Sequence, residues 1–395
     1  MTVVMIGHKG LPARSGGIER HISFLAQGLA LRGFEVISYG RQWYVGKEAV
    51  VLPMGVVQYL TPGIHTKHLD AITHSFTALW HARRFHPDIV HLHGTGVSLL
   101  APLVRLLFPR AQTVVTFHCQ DAVLAKWNWV AKCAFRIGEW CACHFAHRTI
   151  VVSQTLARYC LKKYHCQVAF ITHPFIPPAN IPSDQGLLRY DLQSKKYLLS
   201  VSRLIPDKQI HLLIQAYAMA CKVAPRVFDQ IPLVLVGGSA KTKQYVDHIQ
   251  RLVAQTPGVQ YLGERCGTEL EVLQAHALAH VFPTSSEGLA YTLLEAAGFA
   301  RPVVVTNLPQ NREATGEFGL EVRARDRKDL ARGLQEIVCM EAGARDRMGL
   351  KMQEHVKQFF SFSDRVDDVA LLYQELCTGE MSLRTQHALL AYSNS

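Results

Sequence analysis

The chain of 395 residues is too long for one ordinary hydrophobic core, and its 49% apolar and 18% charged residues exclude a disordered or purely solvated chain. Its net charge of +11 sits in one half: residues 1–182 hold 18 Lys/Arg against 7 Asp/Glu, whereas residues 183–395 hold 24 of each. A basic half attracts an anionic partner, which leaves nucleic acid, an acidic bilayer and a phosphorylated substrate open.

The opening residues Met1–Gly7 lack a basic start and run into a Gly-rich loop, so no signal peptide is expected. Val3–Ile6 reads as a first buried strand. A glycine loop follows, and then an amphipathic helix near Gly17–Arg32. Glu35–Tyr39, Asp88–His91, Thr113–Phe117 and Thr149–Val152 read as further short apolar strands. The longest apolar run, Val97 to Phe108, is broken by Pro102 and Arg105, so no bilayer span is expected. His173–Pro182 holds four prolines, cannot continue a helix or a strand, and is expected to link two domains.

The same rhythm restarts beyond the linker. Tyr197–Val201 is a strand, and a loop Ser202–Gln209 leads into a helix to about Ala220. Leu233–Val236, Val259–Leu262, His280–Pro283 and Pro302–Thr306 are strands, and Phe359–Leu376 reads as a last helix with Val366, Val369, Leu372 and Leu376 on its apolar side. Strands alternating with helices predict an α/β protein with two doubly wound parallel sheets. The domains are placed at 1–182 and 183–358, with a helix at 359–377 and a frayed tail at 378–395. In such folds ligands sit beyond the carboxyl ends of the strands, here with two domains facing each other across a cleft.

The loops after strands should therefore hold the chemistry. Gly7 to Glu19 includes Gly16-Gly17 at a helix start, where backbone amides can approach a phosphate; a tight turn without ligand is the plainer reading. Arg203 and Lys208, five apart after a strand, can reach one diphosphate. His118 follows the strand ending at Phe117 and can bond a sugar hydroxyl or move a proton; His91 and His93 compete for that role, because 14 of the 20 histidines lie in this half. Glu287, in a loop, and Glu295, about two turns later on a helix, can take sugar hydroxyls and a vicinal diol; two solvated acids are the plainer reading. The ten cysteines form no Cys-x-x-Cys pair, which suggests free thiols and a cytoplasmic protein, at most peripheral on the inner face of a membrane. Cys141, Cys143, His144 and His147 allow a zinc site on spacing, though packed helix residues explain them more simply.

Together these features resemble the family 4 retaining glycosyltransferases with the GT-B fold. The resemblance runs from Val3 to about Leu376 and rests on Arg203 with Lys208, Glu287 with Glu295, and Gly298-Phe-Ala-Arg-Pro302. Gly16-Gly17-Ile-Glu19, His118 and Phe360-Ser-Phe362 are also similar, and in this fold the last helix crosses back to the first domain. Within the family, Asp121 through Trp127 to Val152-Ser153 is similar to a bacterial rhamnosyl- and glucosyltransferase subgroup of surface polysaccharide assembly.

The resemblance implies a hexose passed from a nucleotide-diphosphate sugar to a saccharide or lipid-linked acceptor, with retained configuration, no cofactor and no metal. Gly16 and Gly17 would approach the donor phosphates, and Arg203 and Lys208 would hold the diphosphate as it leaves. Glu287, with Gly288 and Leu289, would bind the donor sugar; Glu295 would bind the ribose, and His118 the sugar or the incoming hydroxyl. Two departures stand out: Gln209 where the family has glycine, and Pro309-Gln310 where it has two more, with Glu313 in the place of the family's acid. The basic first domain fits an anionic membrane face, with the stretches Ile64–Phe85 and Lys126–His147 as contact surfaces. A sugar-nucleotide epimerase and a non-catalytic nucleotide-sugar-binding protein are the rivals; nucleic acid is not expected, because no reading motif is present.

Overall fold

The computed structural model describes residues 1–380 apart from 14–15, 47–49, 53–54, 67–68 and 239–241. It separates into two compact units, Met1–Pro174 with the chain from Phe360 onward, and Phe175–Phe359. The tail expected from 378 lies, beyond residue 380, outside the described residues.

The first unit is an eight-stranded sheet of β1 (Thr2–Ile6), β2 (Glu35–Arg41), β3 (Val50–Val51), β4 (Val57–Thr61), β5 (Ile89–His93), β6 (Gln112–Phe117), β7 (Arg148–Val151) and β8 (Ala169–Phe170). Its order is β3-β4-β2-β1-β5-β6-β7-β8, parallel throughout except where β3 meets β4. Both faces are covered, which is why these strands are apolar without alternation. Val3 and Met5 pack on one side with Ile22, Leu25 and Leu29 of the helix Gly17–Leu31, while Val4 and Ile6 pack on the other with Ala78 and Leu79 of the helix Asp70–Ala82.

The last helix, Phe362–Thr378, completes the first of these layers through Val366, Val369, Leu372 and Tyr373. It meets the 17–31 helix at Gly28, where an added Cβ would stand 2.5 Å from a Val366 methyl. The helix that begins beyond the second unit thus belongs to the first. No helix among the described residues is long and apolar enough to cross a membrane.

The second unit holds β9 (Leu198–Val201), β10 (Leu233–Val236), β11 (Val259–Tyr261), β12 (Ala279–Phe282), β13 (Val303–Thr306) and β14 (Leu320–Val322), all parallel in the order β11-β10-β9-β12-β13-β14. Leu198 faces Leu213 and Tyr217 on one side, and Leu199 faces Leu187 and Leu273 on the other. In both sheets the strand order reverses beside the first strand, between β1 and β5 and between β9 and β12, the usual place for a ligand in this architecture.

The boundary between units lies at Pro174–Phe175, eight residues before the break at 182 that composition suggests. Packing accounts for the difference. The proline-rich segment lies on the second unit: a Cβ at Gly298 would stand 3.0 Å from both Phe175 and Pro178, and the carbonyl of Pro182 accepts from His276 Nε2 at 2.8 Å.

Candidate functional site

The strand reversal of the second sheet brings together the loops after β9 and β12. Ser202–Lys208 follows β9, and Pro283–Ala290 follows β12 before the helix Tyr291–Gly298. Lys208 and Glu287 therefore meet although 79 positions separate them, and their side chains form an ion pair. The two loops are also tied by backbone: Ser285 N–H donates to Asp207 O at 2.8 Å, and the Ser285 hydroxyl donates to the same oxygen at 3.2 Å. Lys208, Glu287, Ser200, Ser202, Thr292 and Asn311 line one narrow cavity.

Arg203 is exposed and makes no ion pair among the described residues, so its planar fork is available to an anion from solution. Gly288 and Leu289 are buried in the turn after Glu287. Glu295 is 8% exposed, on the helix as expected, and its Oε2 accepts from Gln274 Nε2 at 2.7 Å. The carbonyl of Gln274 in turn accepts from His280 Nε2 at 2.9 Å, and burial lowers the pKa of that imidazole to about 4. Glu295 is thus held rigidly, one turn beyond the residues that line the cavity.

Gln209 occupies the left-handed region, with φ 54° and ψ 31°, and starts the helix Ile210–Val223. That conformation is the physical reason a glycine is expected there, and the glutamine offsets part of the strain by donating from Nε2 to Pro206 O at 2.8 Å. Asn311 was not singled out by its sequence neighbourhood. It is 1% exposed, donates from Nδ2 to Thr306 O at 2.9 Å, and leaves a buried Oδ1 without a partner among the described residues. Its only signal is its place just after β13, two residues from Glu313, which lies on the same short helix outside the cavity lining.

The first unit arranges its candidates differently. Gly16 caps the 17–31 helix with φ 104°, and a Cβ there would stand 2.1 Å from Glu19 Oε2. The Glu19 carboxylate is buried, accepts from Lys9 N at 3.2 Å and lies 3.8 Å from Lys9 Nζ. Arg14 and Ser15 of the same loop lie outside the described residues.

His118 is buried among other histidines. Its Nε2 lies 3.3 Å from His93 Nδ1, and its ring packs on those of His21 and His173. His91 shares hydrogen bonds with the Tyr373 hydroxyl at 2.6 Å and Thr116 Oγ1 at 2.7 Å. Burial lowers the pKa of His91 to about 3; burial and neighbouring imidazoles push those of His21, His93 and His118 well below the usual histidine range. Desolvation thus favours the neutral form of each of these rings.

Among the described residues, Cys143 and His147 are not brought together with a third ligand into a metal-binding group. His147 Nδ1 accepts from Thr113 N at 2.8 Å, and Cys166 Sγ points to the carbonyl of Cys143 at 3.2 Å.

Residues 15–177 match the model for Glycosyltransferase Family 4, and residues 195–339 match the model for Glycosyl transferases group 1. The chain belongs to glycosyltransferase family 4. A glycogen synthase of Mycobacterium tuberculosis is 23% identical to this glycosyltransferase, over 91% of each chain. The O-antigen chain mannosyltransferase C of Escherichia coli is 25% identical over 95% of this chain and 99% of its own. Among solved structures, Anabaena HepE in complex with UDP and glucose superposes with a TM-score of 0.76 at 17% identity, covering 95% of this chain and 100% of that one. The glycosyltransferase has the GT-B fold, built from two Rossmann-like units.

Proposed function

We propose that this glycosyltransferase moves a hexose from a nucleotide-diphosphate sugar to a hydroxyl of a lipid-linked saccharide, in the assembly of a bacterial surface polysaccharide. The observation that carries the reading is the meeting of Lys208 and Glu287, with Arg203 on the same loop, at the strand reversal of the second sheet. An incoming diphosphate takes Lys208 and Arg203 as counter-charges, and Glu287 turns to the hydroxyls of the sugar. Glu295, fixed by Gln274, receives the ribose diol.

In the reaction the bond from the anomeric carbon to the diphosphate oxygen breaks, and the acceptor oxygen bonds that carbon on the same face. The acceptor proton passes to the departing phosphate oxygen, and configuration is retained. The two fixed cations stabilise the leaving diphosphate, so no divalent ion is assigned to that step. His118 contacts the sugar or orients the incoming hydroxyl. The names of relatives in glycogen and O-antigen synthesis support a saccharide acceptor.

An anionic membrane face is the place for such an acceptor. On the helix Trp129–Phe145, the side chains of Trp129, Cys133, Arg136, Ile137 and Trp140 are exposed along one stripe, while Gly138, Glu139, Cys141 and Ala142 are buried opposite. Ile64 and Phe76 border an apolar groove of ≈ 520 Å³, and exposed Trp80 carries Arg83 over its ring at 4.7 Å. Aromatic and basic side chains together suit the boundary of an acidic bilayer. Sedimentation with anionic vesicles should carry the protein down, and no sedimentation would remove the membrane from the proposal.

The donor reading is tested by thermal unfolding with UDP-, GDP-, dTDP- and ADP-sugars, alongside Arg203→Ala. One nucleotide should stabilise the native chain and not the variant. Stabilisation of both to the same degree would place the diphosphate elsewhere.

A further inference from the structure

The loop that carries Glu287 leaves β12 where the sheet can no longer hold it by backbone. β12 and β13 pair in register from His280 with Val303 to Phe282 with Val305, and there the ladder ends. The next residue, Pro283, has no backbone N–H with which to extend it. A side chain takes over. The hydroxyl of Thr306, the last residue of β13, donates to the carbonyl of Thr284 at 2.7 Å, across 22 positions of sequence. Given Glu287 as the contact to the donor sugar, a reading on which this step rests, we propose that Thr306, oriented by Asn311, is a positioning residue for Glu287.

The direction of the Thr306 hydroxyl is fixed. A hydroxyl has one proton to give. Asn311 Nδ2 donates to Thr306 Oγ1 at 3.0 Å and to Thr306 O at 2.9 Å, so the Thr306 proton is left for Thr284. The Asn311 amide is fixed in turn, because a flipped amide would set its Oδ1 against the Thr306 carbonyl, acceptor against acceptor.

Beyond the tether the bonds run on to the carboxylate's own turn. The Thr284 hydroxyl donates to Ser286 O at 2.9 Å, on the residue immediately before Glu287. Its longer contact, 3.3 Å to Asp207 O, reaches the residue before Lys208. Lys208 pulls on the Glu287 carboxylate when no diphosphate is present. An anchored backbone returns that carboxylate to one place once a diphosphate takes the lysine.

Volume alone does not account for a threonine at this position. Thr306, Thr284 and Asn311 are all buried, and Thr306 follows three valines. Valine has the same branched shape and suits a strand equally well. A hydroxyl is costly to bury unless it is bonded, so the bond to Thr284 is what distinguishes this residue from a fourth valine.

The test is calorimetry on the full chain with UDP, GDP, dTDP and ADP, each alone and as its glucose and mannose conjugates. One diphosphate and a conjugate of it should bind the native chain. Thr306→Val should hold the diphosphate alone to within about twofold and weaken the conjugate by about 10-fold or more, the worth of one hydrogen bond to a charged group. Thr306→Ser, which keeps the hydroxyl, should bind both as the native chain does. In a Glu287→Ala background the change to valine should add less than about twofold, because the two residues act as one unit.

Should Thr306→Val fail to fold, Asn311→Ala keeps the hydroxyl but frees its direction, and should weaken the conjugate more than the diphosphate. Equal weakening of diphosphate and conjugate, no weakening of either, or a serine variant as impaired as the valine one would each overturn the assignment. A native chain that binds none of the conjugates, or a Glu287→Ala chain that binds one unchanged, would instead sink the donor reading, and the role of Thr306 with it.

Discussion

The two strand reversals share a topology and differ in what they hold. In the second unit, beside β9 and β12, a lysine and a glutamate pair in a partly exposed cavity, and the same loop carries an exposed arginine with no ion pair among the described residues. In the first, beside β1 and β5, the polar side chains are buried imidazoles kept neutral by desolvation. One place offers fixed charge to a charged ligand; the other offers lone pairs. The difference teaches that the architecture selects where a ligand goes, while the loop residues select what kind of ligand it is.

Loss of a cation should break the comparison most severely. Lys208→Ala leaves Glu287 without its counter-charge and removes one hand from the diphosphate. Turnover should fall on the order of 10²–10³-fold, the usual loss when one preorganised electrostatic donor is removed. Steady-state kinetics with the nucleotide sugar found by thermal shift would measure it, and a change below about threefold would remove Lys208 from the chemistry.

Matched glycines sharpen the comparison. Gly237, with φ 148°, would place a Cβ 1.7 Å from Ser202 O; Gly7, with φ 122°, would place one 2.4 Å from His93 O. Alanine at either position forces the adjoining loop to shift and should cost about 2–4 kcal/mol at Gly237 and somewhat less at Gly7. Denaturant unfolding gives the cost. Donor-induced stabilisation should be lost in Gly237→Ala and kept in Gly7→Ala.

Acid should weaken the first unit through its buried histidines. His8 is lowered to about 3, by burial first and then by His74 and Arg41; His74 is lowered to about 4, chiefly by burial. In the unfolded chain both titrate near the ordinary value of 6.5. Above that pH both states are neutral and neither group affects stability. Below it the unfolded state takes up protons that the folded state refuses, so stability falls as pH drops from 6.5 towards 4 and 3. At pH 5 the loss is about 2 kcal/mol for each buried histidine. Thermal unfolding across this range should show the decline, and a flat profile would mean that these rings are not buried in solution.

The smallest expected effect is a gain. Gln209→Gly relieves a left-handed glutamine and should stabilise the chain by up to about 1 kcal/mol, with a small rise in unfolding temperature. A loss instead would mean that the glutamine's hydrogen bond to Pro206 outweighs the backbone strain.

Much of this was legible in the residues. Apolar runs without alternation could only be strands covered on both faces, and their spacing with helices required parallel sheets, so both Rossmann-like units followed from pattern. Arg203, Lys208, Glu287 and Glu295 could be named because strand ends and helix starts are local features. β3, β4, β8 and β14 were less legible, because strands of two to five residues carry little periodicity and owe their form to neighbours already in place.

The amino-acid sequence by itself determined the two-unit α/β fold, the basic first half and the identity of the charged loop residues. Tertiary structure alone decided that Lys208 pairs with Glu287, that Gln274 holds Glu295, that the proline-rich segment packs on the second unit, and that His21 and His173 join His118. The reason is physical. Backbone preference and hydrophobic period act over a few residues, whereas partners 79 or 152 positions apart meet only where strand order brings their loops together.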